Sequence, residues 1–173
     1  MPITKLSISD IEFTILTDNN VFGDGTHETT KNVLKILENC DLKDKTVLDV
    51  GTGSGILSVY SGKREAKSIT AIDLDKQALE WARSNLILNG VEARTLCDDL
   101  ATDVEEKFDI VIANLPCPCQ VENMKTISKN MNEDGLLIIS WDHRIPLSDF
   151  NKNFEVAHYI EGIEYDAYAL KIK

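Results

Sequence analysis

The sequence predicts an α/β sandwich built on a mostly parallel sheet. Three observations carry this. The run Val47-Leu48-Asp49-Val50-Gly51-Thr52-Gly53-Ser54-Gly55-Ile56-Leu57 reads as strand, tight glycine loop and helix. From there on, strand-like apolar runs alternate with helical patterns, the signature of βαβ units. The tail from Phe154 to Lys173 then changes rhythm: two alternating runs flank Glu161-Gly162-Ile163 with no helix between them, which predicts an antiparallel pair.

Each element has its own reason. Residues 3–16 place Ile3, Leu6, Ile8, Ile11, Phe13 and Ile15 among polar neighbours, as in a short extended arm or strand pair. Asp18-Asn19-Asn20 is a turn cluster. Between Thr26 and Asn39, the residues Val33, Leu34, Ile36 and Leu37 form one helical face. Asp41 to Lys45 is a polar connection. A helix is expected from Ser54 to Gly62. A second spans Asp75 to Asn89, with Ala78, Leu79, Ala82 and Leu86 at helical spacing and Asn89-Gly90 as its C-cap. Residues 68–73, 92–97, 108–113 and 135–141 read as strands, with Gly135 opening the last. Phe108 to Ala113 is almost continuously apolar, as in a strand buried on both faces. A helix over Val121 to Met131 precedes that last strand.

Glycine spacing decides the ligand class. A dinucleotide fingerprint is G-x-G-x-x-G. Here the glycines stand at 51, 53 and 55, and a buried acid, Asp49, precedes them. A carboxylate there repels a pyrophosphate and attracts a cation. Asp73 ends the run Ser68-Ile69-Thr70-Ala71-Ile72, 18 residues beyond Gly55. That is the tip of the next parallel strand, where an acid commonly accepts hydrogen bonds from ribose hydroxyls. The pair points to a nucleoside ligand that needs no phosphate, held at the carboxyl ends of the strands.

The stretches VLDVGTGSGIL and AIDLD resemble the cofactor-binding half of class I methyltransferases that use S-adenosyl-L-methionine. Phe22-Gly23-Asp24-Gly25-Thr26-His27-Glu28-Thr29-Thr30 is similar to the FGTGTHPTT loop of the PrmA family, which methylates a ribosomal protein. Ala113-Asn114-Leu115-Pro116 stands where that family carries A-N-I-L and where many amino-group methyltransferases carry N-P-P-Y. The resemblance runs from about residue 21 to the C-terminus. It implies a Rossmann-like fold: a seven-stranded, mostly parallel sheet with an antiparallel edge hairpin and helices on both faces. Asp24 stands where the family usually has Thr, and Glu28 where it usually has Pro. Residues 1–173 are expected to be a single methyltransferase domain with an N-terminal arm over 1–20, without the family's substrate-recognition domain.

The resemblance also assigns roles. Asp49 falls at the methionine end of the cofactor, where its carboxylate meets the amino group directly or through water. Gly51, Thr52, Gly53 and Gly55 allow close approach. Asp73 is the ribose ligand by position, with Asp75 as helix N-cap, and Leu74 packs on the adenine ring. An acid of Cys97-Asp98-Asp99-Leu100 accepts a hydrogen bond from the adenine amine. The two adjacent acids compete, and the family's Asp-Leu pattern favours Asp99. Thr26 and His27 lie in a loop expected to close over the cofactor. Glu28 is expected either to loosen that loop or to bring negative charge to the substrate entrance. Asn114, Leu115 and Pro116 form the catalytic candidate. Methyl transfer requires the nucleophile to be desolvated and aimed, and an Asn side-chain oxygen can accept the N–H bonds of an amine. Cys117 replaces the aromatic of N-P-P-Y, which makes glutamine side chains and nucleobases poorer acceptors.

Composition bounds the remainder. A chain of 173 residues with 43% hydrophobic and 27% charged content is ordinary for one globular domain. A net charge of −11 argues against a nucleic acid partner and suits a basic protein or an amine-bearing small substrate. No signal peptide or long apolar run points to a membrane, so a cytoplasmic location is expected. Cys40, Cys97, Cys117 and Cys119 form no C-x-x-C, and Cys117-Pro118-Cys119 alone is an incomplete zinc set, so no metal is expected. The leading reading is an S-adenosyl-L-methionine-dependent N-methyltransferase acting on a protein or small molecule. One rival is a nicotinamide oxidoreductase, disfavoured by the glycine spacing and Asp49. The other is a non-catalytic cofactor-binding module, or a subunit that needs a partner chain for substrate recognition.

Overall fold

The computed structural model describes residues 3–18, 21–145 and 153–173, with backbone alone for residues 117–122. A hairpin of β1 (Ile3–Ile8) and β2 (Ile11–Leu16) comes first, then α1 (Glu28–Glu38). The alternating region holds β3 (Thr46–Val50), α2 (Ile56–Lys63), β4 (Ser68–Asp73), α3 (Lys76–Leu88) and β5 (Arg94–Cys97). It continues with β6 (Phe108–Ala113), α4 (Cys117–Ser128) and β7 (Met131–Asp142), and the chain ends on β8 (Phe154–Ile160) and β9 (Tyr165–Ile172). The seven-stranded sheet has the order β5-β4-β3-β6-β7-β9-β8. Strands β3 to β7 pair in parallel, while β9 is antiparallel to both β7 and β8.

That order fixes the site. The chain builds outward from β3 through β4 to β5, then returns to place β6 on the other side of β3. The reversal leaves a crevice beyond the carboxyl ends of β3 and β6, where ligands of open α/β sheets bind.

Side chains alternate along each strand and fill two apolar layers. Val47, Ile110, Ile112 and Ile138 face α1 and α2, with Phe13 and Ile15 of the hairpin in the same layer. Leu48, Val50, Val111, Leu137, Ile139 and Trp141 face the other side, where Met124 and Ile127 of α4 cover them. Helix α2 is buried continuously from Ile56 to Ser61, so it shows no polar face to the solvent there.

The hairpin is a separate two-stranded sheet. Its β2 strand lies against α3, whose Asn85 and Asn89 bond the backbone of Leu16 and Thr14.

Two elements begin four residues earlier than the sequence reading placed them, while β5 begins at Arg94 rather than residue 92 and α4 ends at Ser128 rather than Met131. Helix α4 starts at Cys117 rather than Val121. Pro118 falls in its first turn, where a missing N–H breaks no helical bond. Strand β7 starts at Met131, so Gly135 lies inside it rather than opening it. The register slips there: Phe108 pairs with Met131, and Ile110 next pairs with Leu136. A Cβ on Gly135 would sit 3.0 Å from the Asn132 carbonyl oxygen and 3.1 Å from that of Phe108. The turn expected at Asp18-Asn19-Asn20 falls partly outside the described residues. Among those residues, no helix is long and apolar enough to cross a membrane.

Candidate active site

At the crevice the structure opens a cavity of about 510 Å³, within the range of small-molecule sites. Its walls come from the loop before α1, the glycine loop after β3, the tip of β4, the start of α3, and the ends of β6 and β7. Tyr165 at the start of β9 completes it.

The glycine loop turns immediately after β3. The N–H groups of Gly51 and Thr52 both donate to the Ile72 carbonyl at 2.9 Å. The Gly53 N–H donates to Asp73 Oδ2 at 2.9 Å. Gly53 has φ +54°, and a Cβ there would lie 2.6 Å from the Phe22 carbonyl oxygen. A Cβ on Gly51 would lie 2.2 Å from Leu115 Cδ2. The loop is therefore a cradle that a side chain at either position would fill. Gly55 has a different task. It is the N-cap of α2, does not line the cavity, and lets α2 pack on Ala82 of α3.

Asp49 is 1% exposed and points from β3 toward α2. Its Oδ2 accepts from Thr52 Oγ1 at 2.8 Å and Ser58 Oγ at 2.7 Å, while its Oδ1 is buried without a partner. Burial raises its pKa above the ordinary carboxylate value, with a smaller contribution from the nearby charge of Asp73. A carboxylate so placed gains by meeting a cation. It lies beneath the glycine loop rather than in the cavity wall.

Asp73 lines the cavity. Its Oδ1 accepts from the Asp75 N–H at 3.0 Å, so the backbone fixes both oxygens while each keeps spare acceptor capacity. Asp75 caps α3 by accepting from the Gln77 N–H at 2.8 Å. Leu74, between them, is 67% exposed and stands outside the wall. The apolar surface of the cavity includes Ile56, Leu57, Ala78 and Leu115 instead. Asp98 is consumed locally: its carboxylate accepts from the N–H groups of Thr102 and Asp103 at 3.1 Å and from Thr102 Oγ1 at 3.0 Å. Asp99 is exposed and also outside the wall.

Asn114, Leu115 and Pro116 all line the cavity. Asn114 Nδ2 donates to Thr30 Oγ1 of α1 at 3.3 Å, whereas its Oδ1 is buried with no partner. An unsatisfied buried acceptor is costly. In a cavity wall it is a position prepared for a donor.

The loop before α1 is pinned to the glycine loop by the Ser54 N–H, which donates to the Phe22 carbonyl at 3.0 Å, and by Ser54 Oγ, which donates to the Gly23 carbonyl. His27 lines the cavity and also caps α1, its Nδ1 lying 3.3 Å from the Thr29 N–H. Its ring packs edge-on to Phe22 at 5.1 Å and tilts against Tyr165 at 5.6 Å. Thr26 is exposed and turned to Asp24, whose Oδ1 accepts its N–H at 2.9 Å and its hydroxyl at 2.7 Å. It does not line the cavity.

Sequence reasoning missed Ser140 and Tyr165, which only the pairing of distant strands brings to the wall and no local signal marks. Thr30 ends the loop motif read from the sequence, but its bond to Asn114 had no local signal.

Glu28 has a role that neither expectation foresaw. Its carboxylate accepts from the Ile163 N–H and, at 3.1 Å, from the Glu164 N–H, clasping the β8–β9 turn to α1. The Ile163 contact is the main reason its pKa falls below the ordinary Glu value. The clasp is therefore complete above the ordinary Glu range and is lost as pH falls through the lowered value. Glu28 is the first residue of α1, where proline fits the backbone. Glu28→Pro is expected to reduce thermal stability but to change cofactor affinity only modestly in a calorimetric titration. Complete loss of binding would show that the clasp belongs to the site.

Among the described residues, no three His, Cys, Asp or Glu side chains are grouped to hold a metal ion. The side chains of Cys117 and Cys119 fall outside the described ones.

The family model for ribosomal protein L11 methyltransferase (PrmA) matches residues 13–141. A ribosomal protein L11 methyltransferase of Caldicellulosiruptor bescii is 38% identical over 134 residues, covering 78% of this chain and 44% of that protein. The chain spans about half the length of the curated relatives it matches. The crystal structure of a ribosomal protein L11 methylase from Lactobacillus delbrueckii subsp. bulgaricus superposes with a TM-score of 0.81 at 30% identity, covering 88% of this chain and 81% of that one. A T. thermophilus 16S rRNA methyltransferase, solved with AdoMet and guanosine, reaches 0.84 at 16% identity, covering 99% of this chain and 50% of that one; this likeness concerns the fold alone. The family match takes in every cavity-lining stretch except Tyr165, and the chain belongs to the ribosomal protein L11 methyltransferase (PrmA) family.

Proposed function

We propose that this chain is the catalytic domain of an S-adenosyl-L-methionine-dependent methyltransferase acting on amino groups of a protein. One observation carries the reading: a glycine cradle whose Gly53 leaves no room for a Cβ lies in the same cavity as an amide oxygen, Asn114 Oδ1, that is buried without a partner. The residues present fit the cofactor. Asp73 offers acceptors for ribose hydroxyls. The unpartnered Oδ1 of Asp49 offers negative charge to an amino acid end, directly or through water. Ile56, Leu57, Ala78 and Leu115 offer apolar surface to a planar base.

Bound S-adenosyl-L-methionine supplies a methyl group already activated by a cationic sulfur. The protein's work is then placement and desolvation. Asn114 Oδ1 accepts an N–H of the incoming amine, which aims the nitrogen lone pair into the cavity. Thr30 holds the Asn114 amide from α1, so the oxygen, not the NH₂ group, faces the acceptor. The amine must arrive neutral, and its proton leaves to solvent before attack. Leu115 and Pro116 flank the amide and limit the water around it.

The relatives' name makes ribosomal protein L11 the first acceptor to try, and the net charge of −11 suits a basic one. A partner chain that presents the acceptor, and a cytoplasmic location, belong to this reading. Calorimetric titration with S-adenosylhomocysteine is expected to give one-to-one binding, with none for NADH. Failure of S-adenosylhomocysteine to bind would overturn the cofactor assignment. Transfer of labelled methyl groups to purified ribosomal protein L11 then tests the acceptor.

A further inference from the structure

Asn85 of α3 and Asn89, the C-cap of that helix, lie one turn apart and are both buried. Their carboxamides act as a missing strand for the outer edge of β2. Asn89 Oδ1 accepts the Thr14 N–H at 2.9 Å, and its Nδ2 donates to the Thr14 carbonyl at 2.7 Å. Asn85 repeats this on Leu16, both bonds at 2.8 Å. The backbone groups of alternate residues point to the same side of a strand, so two amides one helical turn apart can satisfy positions 14 and 16 together.

The two differ in their remaining proton. The second N–H of Asn89 returns to the Asn85 carbonyl of its own helix at 2.7 Å. The second N–H of Asn85 donates at 2.8 Å to the carbonyl of Ser54, in the glycine loop. Ser54 is fully buried, and it also holds the loop before α1 through its N–H and hydroxyl. One carboxamide thus ties the hairpin, α3 and the glycine loop together, with all its donors used.

We infer that Asn85 is a positioning residue for cofactor binding. It fixes the Ser54–Gly55 peptide, which closes the glycine loop, and makes the geometry of the cradle depend on the seating of the β1–β2 hairpin. It touches no ligand itself, since it does not line the cavity. This inference rests on the cofactor reading given above.

A matched pair of variants isolates the loop bond. Asn85→Asp and Asn89→Asp each turn a donor facing two carbonyls into an acceptor, and each disturbs the hairpin. Only the first breaks the Ser54 contact. Both are expected to lower the Tm. Asn85→Asp alone is expected to weaken S-adenosylhomocysteine binding by about tenfold, the order of one lost buried hydrogen bond. Equal affinities in the two variants, whether both retained or both lowered, would reduce Asn85 to a structural clip and overturn the inference. Absence of binding by the unaltered chain would overturn the cofactor reading, and the inference with it. If the buried charge prevents folding, the neutral pair Asn85→Ala and Asn89→Ala gives the same comparison.

Discussion

Asn114→Ala is expected to cut methyl-transfer turnover by about a hundredfold or more, the scale on which a misplaced or unsupported reacting group costs rate. The same variant is expected to bind S-adenosylhomocysteine nearly as well as the unaltered chain. Asn114 Oδ1 has no partner in the structure, and its Nδ2 has only Thr30. Removal therefore strands little and leaves the glycine cradle untouched. The loss should appear when the acceptor amine has nothing to orient it. Single-turnover kinetics with labelled cofactor and ribosomal protein L11 measure it, with calorimetry as the binding control. Unchanged turnover would take Asn114 out of the mechanism. If the unaltered chain binds the cofactor but transfers no methyl group to any amine offered, the binding-module reading prevails.

Gly53→Ala is expected to abolish measurable cofactor binding and to lower stability. Two costs combine. A left-handed backbone costs a non-glycine residue about 1–2 kcal/mol. The added Cβ would also stand 2.6 Å from the Phe22 carbonyl oxygen, which the Ser54 N–H holds in place. Backbone atoms cannot rotate away as a side chain can. Either the loop before α1 lifts or the cradle deforms, and both change the cavity. Gly51→Ala is the informative contrast, because its clash is with a Leu115 side chain that has other rotamers. Thermal melts with and without S-adenosylhomocysteine separate the two effects. A Gly53→Ala protein that still gains stability from the ligand would show that the loop tolerates the displacement.

Much of this site could be read from the chain because a parallel sheet advertises itself. Apolar runs such as Phe108 to Ala113 end where the sheet ends, so the sequence alone places Asp73 and Asn114 at strand tips. The glycine loop was equally plain. What stayed hidden depended on contacts between distant segments. Tyr165 reaches the cavity only because β9 pairs with β7, and Thr30 meets Asn114 only because α1 packs across β7 and β9. The role of Glu28 is not legible locally, since its carboxylate meets the backbone of residues more than a hundred positions away. Thr26, Leu74, Asp99 and Gly55 lie beside the cavity rather than in its wall, because short-range constraints claim or turn them away. Strand β7 was misplaced because a register slip hides its first residues from any period-two pattern.

Strand β9 follows β8 in sequence yet lies inside the sheet, between β7 and the edge strand β8. The cavity wall is therefore complete only once β9 has inserted between them. Until residues 165–172 pair, β7 keeps a bare apolar edge and the wall lacks its tyrosine. Such long-range closure slows folding and exposes that edge to wrong partners. Completion of the wall is thus tied to the last pairing within the sheet rather than to any local segment.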